Sequence, residues 1–170
     1  KIDEKNVSYK LVGVNPNVLP VVLLNTFTPD TYDARWLSTS NYHYNGGGPN
    51  SSRGTLKGVS LTLEYEAGAT TLKSITAYRK LDVHNDLDPD GSPINILDQY
   101  QTVRQNQFSQ EFQALGKAFD NRLQWVLGAY YFHEKVADNI DYALLTSLFG
   151  TSQSFSQDNH VKNSSLAFYG

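Results

Sequence analysis

The stretch from Gln107 to Glu134 decides the fold. It opens Gln107-Phe108-Ser109-Gln110-Glu111-Phe112-Gln113-Ala114-Leu115-Gly116 and passes through Lys117-Ala118-Phe119-Asp120-Asn121-Arg122. It ends Leu123-Gln124-Trp125-Val126-Leu127-Gly128-Ala129-Tyr130-Tyr131-Phe132-His133-Glu134. In the first part Phe108, Phe112 and Ala114 share one side, and Gln107, Ser109, Glu111 and Gln113 share the other. A strand sends successive side chains to opposite faces, so this is a strand with one apolar and one polar face. Asp120-Asn121 supplies a turn. In the last part Leu123, Trp125, Leu127, Ala129 and Tyr131 face one way. Gln124, Gly128 and Glu134 face the other, with Val126, Tyr130 and Phe132 breaking the pattern. The pair predicts a hairpin of long strands. Soluble strands usually stop near five or six residues, whereas a strand crossing a bilayer needs about nine to eleven.

Composition narrows the class. The chain has 170 residues, a net charge of -3 and no basic run, which gives no footing for nucleic acid. Cysteine is absent, which excludes disulfides and thiolate metal sites. Mean hydropathy is -0.45, and no apolar run reaches the length of a membrane helix. A transmembrane barrel would show none, because polar residues facing its lumen dilute every strand. The 11 Tyr, 8 Phe and 2 Trp suit interfacial aromatic girdles or binding loops. Methionine is absent and no leader is visible, as expected of a processed protein or an internal section.

Residues 1–54 read as a strand end followed by a long loop. Pro16, Pro20 and Pro29 interrupt it, and Gly46-Gly47-Gly48-Pro49-Asn50 closes it with turn chemistry. Val18–Leu24 is an apolar patch to which the pattern assigns no element. Residues 55–170 read as a β-meander. Thr55–Glu66 is the cleanest strand, with Val59, Leu61, Leu63 and Tyr65 on one side and Ser60, Thr62 and Glu64 on the other. Ala67-Gly68-Ala69 is a tight turn. Thr70–His84 is a strand whose alternation is too blurred to assign faces. Asn85–Val103 is expected to be a loop. Val136–Asn159 is a loop or strand extension, with a short helix over Ala143–Phe149. A last strand starts at Val161. Short and long connections thus alternate. An up-and-down transmembrane barrel has short periplasmic turns and long extracellular loops, whereas a sandwich has no reason for the asymmetry.

Three phrases also form a familiar set: Leu72-Lys73-Ser74-Ile75-Thr76-Ala77-Tyr78-Arg79, Gln107-Phe108-Ser109-Gln110-Glu111-Phe112, and Trp125-Val126-Leu127-Gly128-Ala129-Tyr130-Tyr131-Phe132. Their order and spacing resemble the barrel of TonB-dependent outer-membrane receptors, chiefly the sphingomonad type, over roughly residues 54–170. Asp33-Ala34-Arg35-Trp36 and Ser165-Leu166-Ala167-Phe168-Tyr169-Gly170 fit the same pattern. The resemblance implies a section of a large antiparallel barrel in the bacterial outer membrane, in contact with its lipid. It implies import of a scarce small molecule or metal chelate, such as a siderophore-iron complex, cobalamin or a glycan. It also implies coupling to an inner-membrane energy source through a plug domain, which is not present in this chain. It requires no cofactor, implies no enzyme, and says nothing about which residues touch the ligand.

The chemistry-bearing residues keep two readings each. Asp86-Leu87-Asp88-Pro89-Asp90-Gly91 opens like a calcium loop, with carboxylates at alternate positions and a glycine for the turn. The closing glutamate is replaced by Leu97, and an acidic solvated loop is the other reading. Trp36, Tyr42, His43 and Tyr44 cluster beside the glycines and could stack on a sugar or a siderophore ring, or pack the loop on itself. His43, His84, His133 and His160 are too scattered for a metal site. Glu64 and Glu111 share the polar side on different strands, as lumen carboxylates or as a hydrolytic pair. A soluble or secreted all-β binding module and a passive porin remain the alternative functions. The expected fold is all-β, part of a large up-and-down transmembrane barrel.

Overall fold

The computed structural model describes residues 2–5, 13–15, 17, 19–27, 31–40, 43–144 and 153–170. Six strands form one sheet: β1 (Ile2–Lys5), β2 (Ser51–Ala67), β3 (Thr70–Leu87), β4 (Leu97–Ala118), β5 (Leu123–Leu144) and β6 (Gln153–Tyr169). They lie in chain order, β1 to β6, and β1 pairs antiparallel with the start of β2 through Ile2↔Gly54 and Lys5↔Ser51. The sheet is not closed among the described residues. A nine-residue helix, α1 (Leu19–Phe27), precedes β2.

Two compact units share these strands. One holds residues 1–54, 83–102 and 138–158; the other holds 55–82, 103–137 and 159–170. The first carries the connection between β1 and β2 and the 88–96 connection. The second carries the two tight turns.

Those turns are built by backbone chemistry. Gly68 has φ +65°, a region in which a side chain is strained. At the β4–β5 turn Phe119, Asp120 and Asn121 are all left-handed, with φ of 54°, 56° and 68°. Asp and Asn tolerate that region best. Phe119 does not, and it is left exposed. Arg122 N–H donates to Phe119 O across the turn (3.1 Å).

The second unit assigns every side chain to a face. Glu64 pairs with Lys73 (2.6 Å), which puts the even residues of β2 with the odd residues of β3. Thr76 donates to Gln110 (2.6 Å), and Tyr78 to Asn106 (3.0 Å), joining the even residues of β3 and β4. The rings of Phe108 and Tyr131 lie 6.4 Å apart, and His133 pairs with Ser164 (2.8 Å). One face therefore carries Val59, Leu61, Leu63, Tyr65, Leu72, Tyr78, Phe108, Phe112, Leu123, Leu127, Tyr131, Leu166 and Phe168. The blurred faces of β3 are resolved: Ser74 and Thr76 sit on this apolar side. Gln110 joins both, its amide donating to Ser74 Oγ (3.0 Å). The three polar groups satisfy one another, which is why an apolar face tolerates them.

The opposite face carries Ser60, Thr62, Glu64, Ser109 and Glu111. It is stitched by polar pairs such as Gln105 to Glu134 and Gln113 to Glu111. Among the described residues only Val21, Leu24 and Ile94 are buried apolar side chains. Among the described residues nothing packs over the apolar face: Leu63 is 59% exposed, Phe112 57% and Leu127 59%.

Three expectations are corrected. Of the patch at Val18–Leu24, Leu19–Leu24 belongs to helix α1, with Pro20 in the first turn, where its missing N–H costs nothing, and Val18 lies outside the described residues. Asn85–Val103 is not one loop, because β3 runs to Leu87 and β4 begins at Leu97. Ala143 and Leu144 are strand, not helix, while 145–149 lie outside the described residues. Polar pairs carry the strands past the end of the apolar alternation. Ser52 bonds Asn85, Asn85 bonds Gln101, Gln101 bonds Asp138, and Asn139 bonds Asp158.

The register predicts a crosslink. The chain has no cysteine, so a double variant Phe108→Cys/Tyr131→Cys carries no background. It should oxidise readily to a disulfide, which needs neighbouring Cβ atoms on one face. Phe108→Cys/Phe132→Cys, with the two residues on opposite faces, should not. Equal crosslinking of both pairs in a gel-shift assay would contradict the face assignment.

Candidate functional site

The first unit joins the acidic loop to the glycine-rich segment. Asp88 is almost fully buried and accepts N–H bonds from Gly47 (3.0 Å), Gly48 (3.2 Å) and Gly91 (3.2 Å). Gly47 N–H also reaches Ser92 O (2.9 Å). The glycines are there for close approach. A Cβ on Gly47 would stand 2.4 Å from Pro93 O, and one on Gly48 2.2 Å from Asp98 Oδ1. Gly91, at φ +63°, turns the loop back so that its own amide meets Asp88.

Asp90 organises the far side of the loop. It accepts from Ser92 N–H (2.9 Å), Ser92 Oγ (2.6 Å), Ile96 N–H (3.3 Å) and Leu97 N–H (3.1 Å). Burial, aided by the charge of Asp88 and opposed by these hydrogen bonds, pushes its carboxyl up to about 6. Asp86 accepts from Ser51 Oγ (2.8 Å). Of the three carboxylates of the calcium-like motif, Asp86 thus lies at the end of β3 and Asp88 and Asp90 in the loop that follows, with their oxygens engaged by different donors. Among the described residues no three His, Cys, Asp or Glu side chains are grouped to hold a metal ion. Three further residues matter: Asp98, which falls one position late for the closing ligand of the motif, and Asn95 and Asn50, which sequence reasoning missed. Each has a buried Oδ1 without a hydrogen-bond donor among the described residues. These oxygens, beside Gly47 and Gly48, are the acceptors a cation or a water would use. The calcium-loop spacing points only to Asp98, one position past the expected closing ligand, and nothing in the sequence joins Asn95 and Asp98 to Asn50, which comes from a separate segment.

The aromatic cluster belongs to the same unit. Asp33 caps the 3-10 turn Ala34–Trp36, accepting from Arg35 N–H (2.9 Å) and pairing with the Arg35 guanidinium (2.9 Å). That guanidinium lies 5.6 Å over the Trp36 ring. Trp36 Nε1 donates to Thr31 O (2.9 Å), and Asn45 donates to Trp36 O (3.0 Å). Ser38 Oγ donates to His43 O, and Asn50 to Tyr44 OH. The Tyr44 ring occupies the space a Gly46 Cβ would need. Trp36 and Tyr44 are half-buried and held in place, His43 is exposed, and Tyr42 lies outside the described residues. Burial, then the charges of Asp90 and Asp88, raise the pKa of Tyr32, which puts this segment beside the acidic loop.

In the second unit Glu64 and Glu111 share a face as expected, and both are engaged. Glu64 is ion-paired with Lys73, and Glu111 accepts from Gln113 (2.7 Å) and from Tyr169 OH. Comparison with family models, with curated proteins and with solved structures gives no match to this chain.

Two outcomes follow from the loop. Asp88→Ala should release the amides of Gly47, Gly48 and Gly91 at a local cost of about 1–3 kcal/mol. Amide exchange at Gly48 should accelerate by roughly tenfold or more, and an unchanged rate would contradict the clasp. For Asp90 the folded pKa lies above the ordinary 3.8, so the fold favours the neutral acid. Its contribution is full below the ordinary value and is lost as pH rises through about 6. Exchange at Leu97, corrected for its intrinsic rate, should slow on moving from about pH 7 to about pH 5. Asp90→Asn should abolish that dependence.

Proposed function

We propose that this chain is a section of an outer-membrane active-transport receptor of the TonB-dependent kind. One observation carries the membrane part of the reading. On each strand of the second unit the apolar face ends at an aromatic or aliphatic residue: Val59, Tyr78, Phe108, Tyr131 and Leu166. The next residue on that face is Lys57, Lys80, Asn106, His133 or Ser164. The boundary passes between neighbours in contact, since Tyr78 touches Asn106, Phe108 touches Tyr131, and His133 touches Ser164. Below it an apolar stretch of about nine residues, Val59 to Ala67 on β2, reaches the tight turn, the depth a tilted membrane strand needs. Tyr65 and Trp125 lie on the same face near the turns. Aromatic residues at both ends of an apolar band are the girdles of a membrane barrel.

In water this face is a liability. Fully burying a Leu or Phe side chain is worth roughly 1.5–3 kcal/mol, and here a whole sheet face forgoes it. Lipid removes the penalty. The opposite face, with its carboxylates and amides in hydrogen-bonded pairs, is suited to a lumen. The sheet's unpaired edges would be costly in lipid, so the reading requires the barrel to be completed by further strands.

The import reading rests on the family resemblance, on the long-connection unit and on its aromatic segment, in which Trp36 and Tyr44 are held in place and His43 is exposed. The ligand is a scarce small molecule or metal chelate, and a calcium ion in the 86–91 loop is part of the same proposal. Uptake is driven by an inner-membrane energy-coupling partner.

Thiol scanning tests the membrane part. Single cysteines at Ser60, Thr62 and Glu64 should react with a membrane-impermeant reagent in intact outer membranes, and those at Val59, Leu61 and Leu63 should not. Labelling without alternation would overturn the reading. For import, uptake of the cognate ligand by cells carrying the protein should collapse with an uncoupler. Uptake that persists would mark a passive pore.

A further inference from the structure

The polar side of the boundary has a charge pattern that the receptor reading does not use. Within the second unit the apolar-parity face carries Lys57, Lys80, Arg104, Lys135 and Lys162, against the single carboxylate Asp82. The other face of the same unit carries Glu64, Glu66, Glu111 and Glu134 against Lys73, Arg79 and Lys117. Five cations are therefore gathered on one face within two positions of the apolar band, Lys57 and Lys80 next to it and Arg104, Lys135 and Lys162 one step further out. Lys80 is tied to Asp82 (3.4 Å). Arg104, Lys135 and Lys162 have no ion pair among the described residues, and all three are exposed.

These three cations meet around one cleft. It holds about 480 Å³ and is lined by Arg104, Asn106, Lys135, His160 and Lys162, with Val136 and Val161 alongside. Three adjacent strands supply the cations: β4, β5 and β6. One step below the cations stand Asn106, His133 and Ser164, and below those lie Phe108, Tyr131 and Leu166, where the apolar band of each strand ends. A ligand seated here would have its anionic part among guanidinium, ammonium and imidazole groups and its apolar part against the band.

We propose that this cleft binds the phosphate of a phosphorylated lipid headgroup in the leaflet that borders the apolar band. The chemistry selects the occupant. Arg104 offers a planar fork of N–H donors that suits phosphate oxygens, while Lys135 and Lys162 add point charges. Asn106 and His160 supply further polar atoms at the rim. A soluble anion would use the cations and leave Phe108, Tyr131 and Leu166 unused. A lipid uses both, because its acyl chains run along the apolar face as its headgroup sits in the cleft. Cations beside a membrane surface contribute about 1 kcal/mol each toward anionic lipid, or roughly fivefold in affinity per residue.

The inference rests on the membrane reading above, and one experiment separates the two. The protein is reconstituted into phosphatidylcholine vesicles with and without phosphatidic acid, extracted, and examined by native mass spectrometry for retained lipid. The wild type should incorporate into both vesicles and retain phosphatidic acid selectively. Arg104→Gln/Lys135→Gln/Lys162→Gln should incorporate equally well and lose affinity for phosphatidic acid by on the order of a hundredfold. Each single variant should lose part of that, so a folding defect in the triple variant cannot mask the result. Lys73→Gln/Lys117→Gln, on the other face, should retain phosphatidic acid like the wild type. Equal retention by the triple variant, or equal loss in the Lys73/Lys117 control, overturns the headgroup site and leaves the barrel standing. Failure to incorporate into phosphatidylcholine vesicles overturns the barrel and the site with it.

Discussion

A strand hands its side chains to two faces in turn, and in this sheet the two faces are made of different matter. Everything else depends on that division. Val59, Leu63, Phe112, Leu127 and Phe168 stand exposed on one side. Glu64, Lys73, Gln105, Glu111 and Glu134 stand on the other and satisfy one another. A water-soluble sheet protein buries its apolar face against a second layer. This sheet has no such layer among the described residues, and its three buried apolar side chains belong to the loops and helix α1. That uncovered face, on strands long enough to cross a bilayer, is what the proposed membrane reading explains.

The division was legible in the sequence wherever hydrophobic alternation was strict. Val59–Tyr65 and Phe108–Ala114 could be placed on faces from period alone. The β3 strand could not, because Ser74 and Thr76 sit on the apolar side and belong there only through Gln110, a partner on the next strand. A periodicity read within one strand is blind to a partner on another. The same blindness shortened the strands. Asn85, Gln101 and Asp138 carry no apolar signal, yet their mutual hydrogen bonds extend three strands beyond the point where alternation stops. Helix α1 was hidden for a different reason, since its nine residues, with Pro20 inside and Asn25-Thr26 near the end, are too few for a helical period to be read.

The candidate loop site was half legible. The motif Asp86–Gly91 and the glycines at 46–48 were both marked as special, but for separate reasons. The structure makes them one object. The Asp88 carboxylate fills a pocket of glycine amides some forty residues away in the chain, and the glycines are small so that it can. The buried acceptors on Asn50, Asn95 and Asp98 exist only once that closure has formed. Charge segregation across the second unit was invisible for the same reason as the β3 faces. Lys57, Lys80, Arg104, Lys135 and Lys162 are evenly scattered in sequence and share a face only when five strands are set side by side.

The central claim is that one face of this sheet meets lipid up to a sharp boundary. Spin labels placed singly along that face, with the protein in vesicles, measure it directly. Accessibility to oxygen, which concentrates in lipid, is compared with accessibility to a water-soluble nickel chelate. Labels at Val59, Tyr78, Phe108, Tyr131 and Leu166 should favour oxygen, and those at Lys57, Lys80, Asn106, His133 and Ser164 should favour the chelate, with the switch falling at the same step on every strand. Labels that favour the chelate along the whole face, or a switch that falls at unrelated positions from strand to strand, would contradict the account.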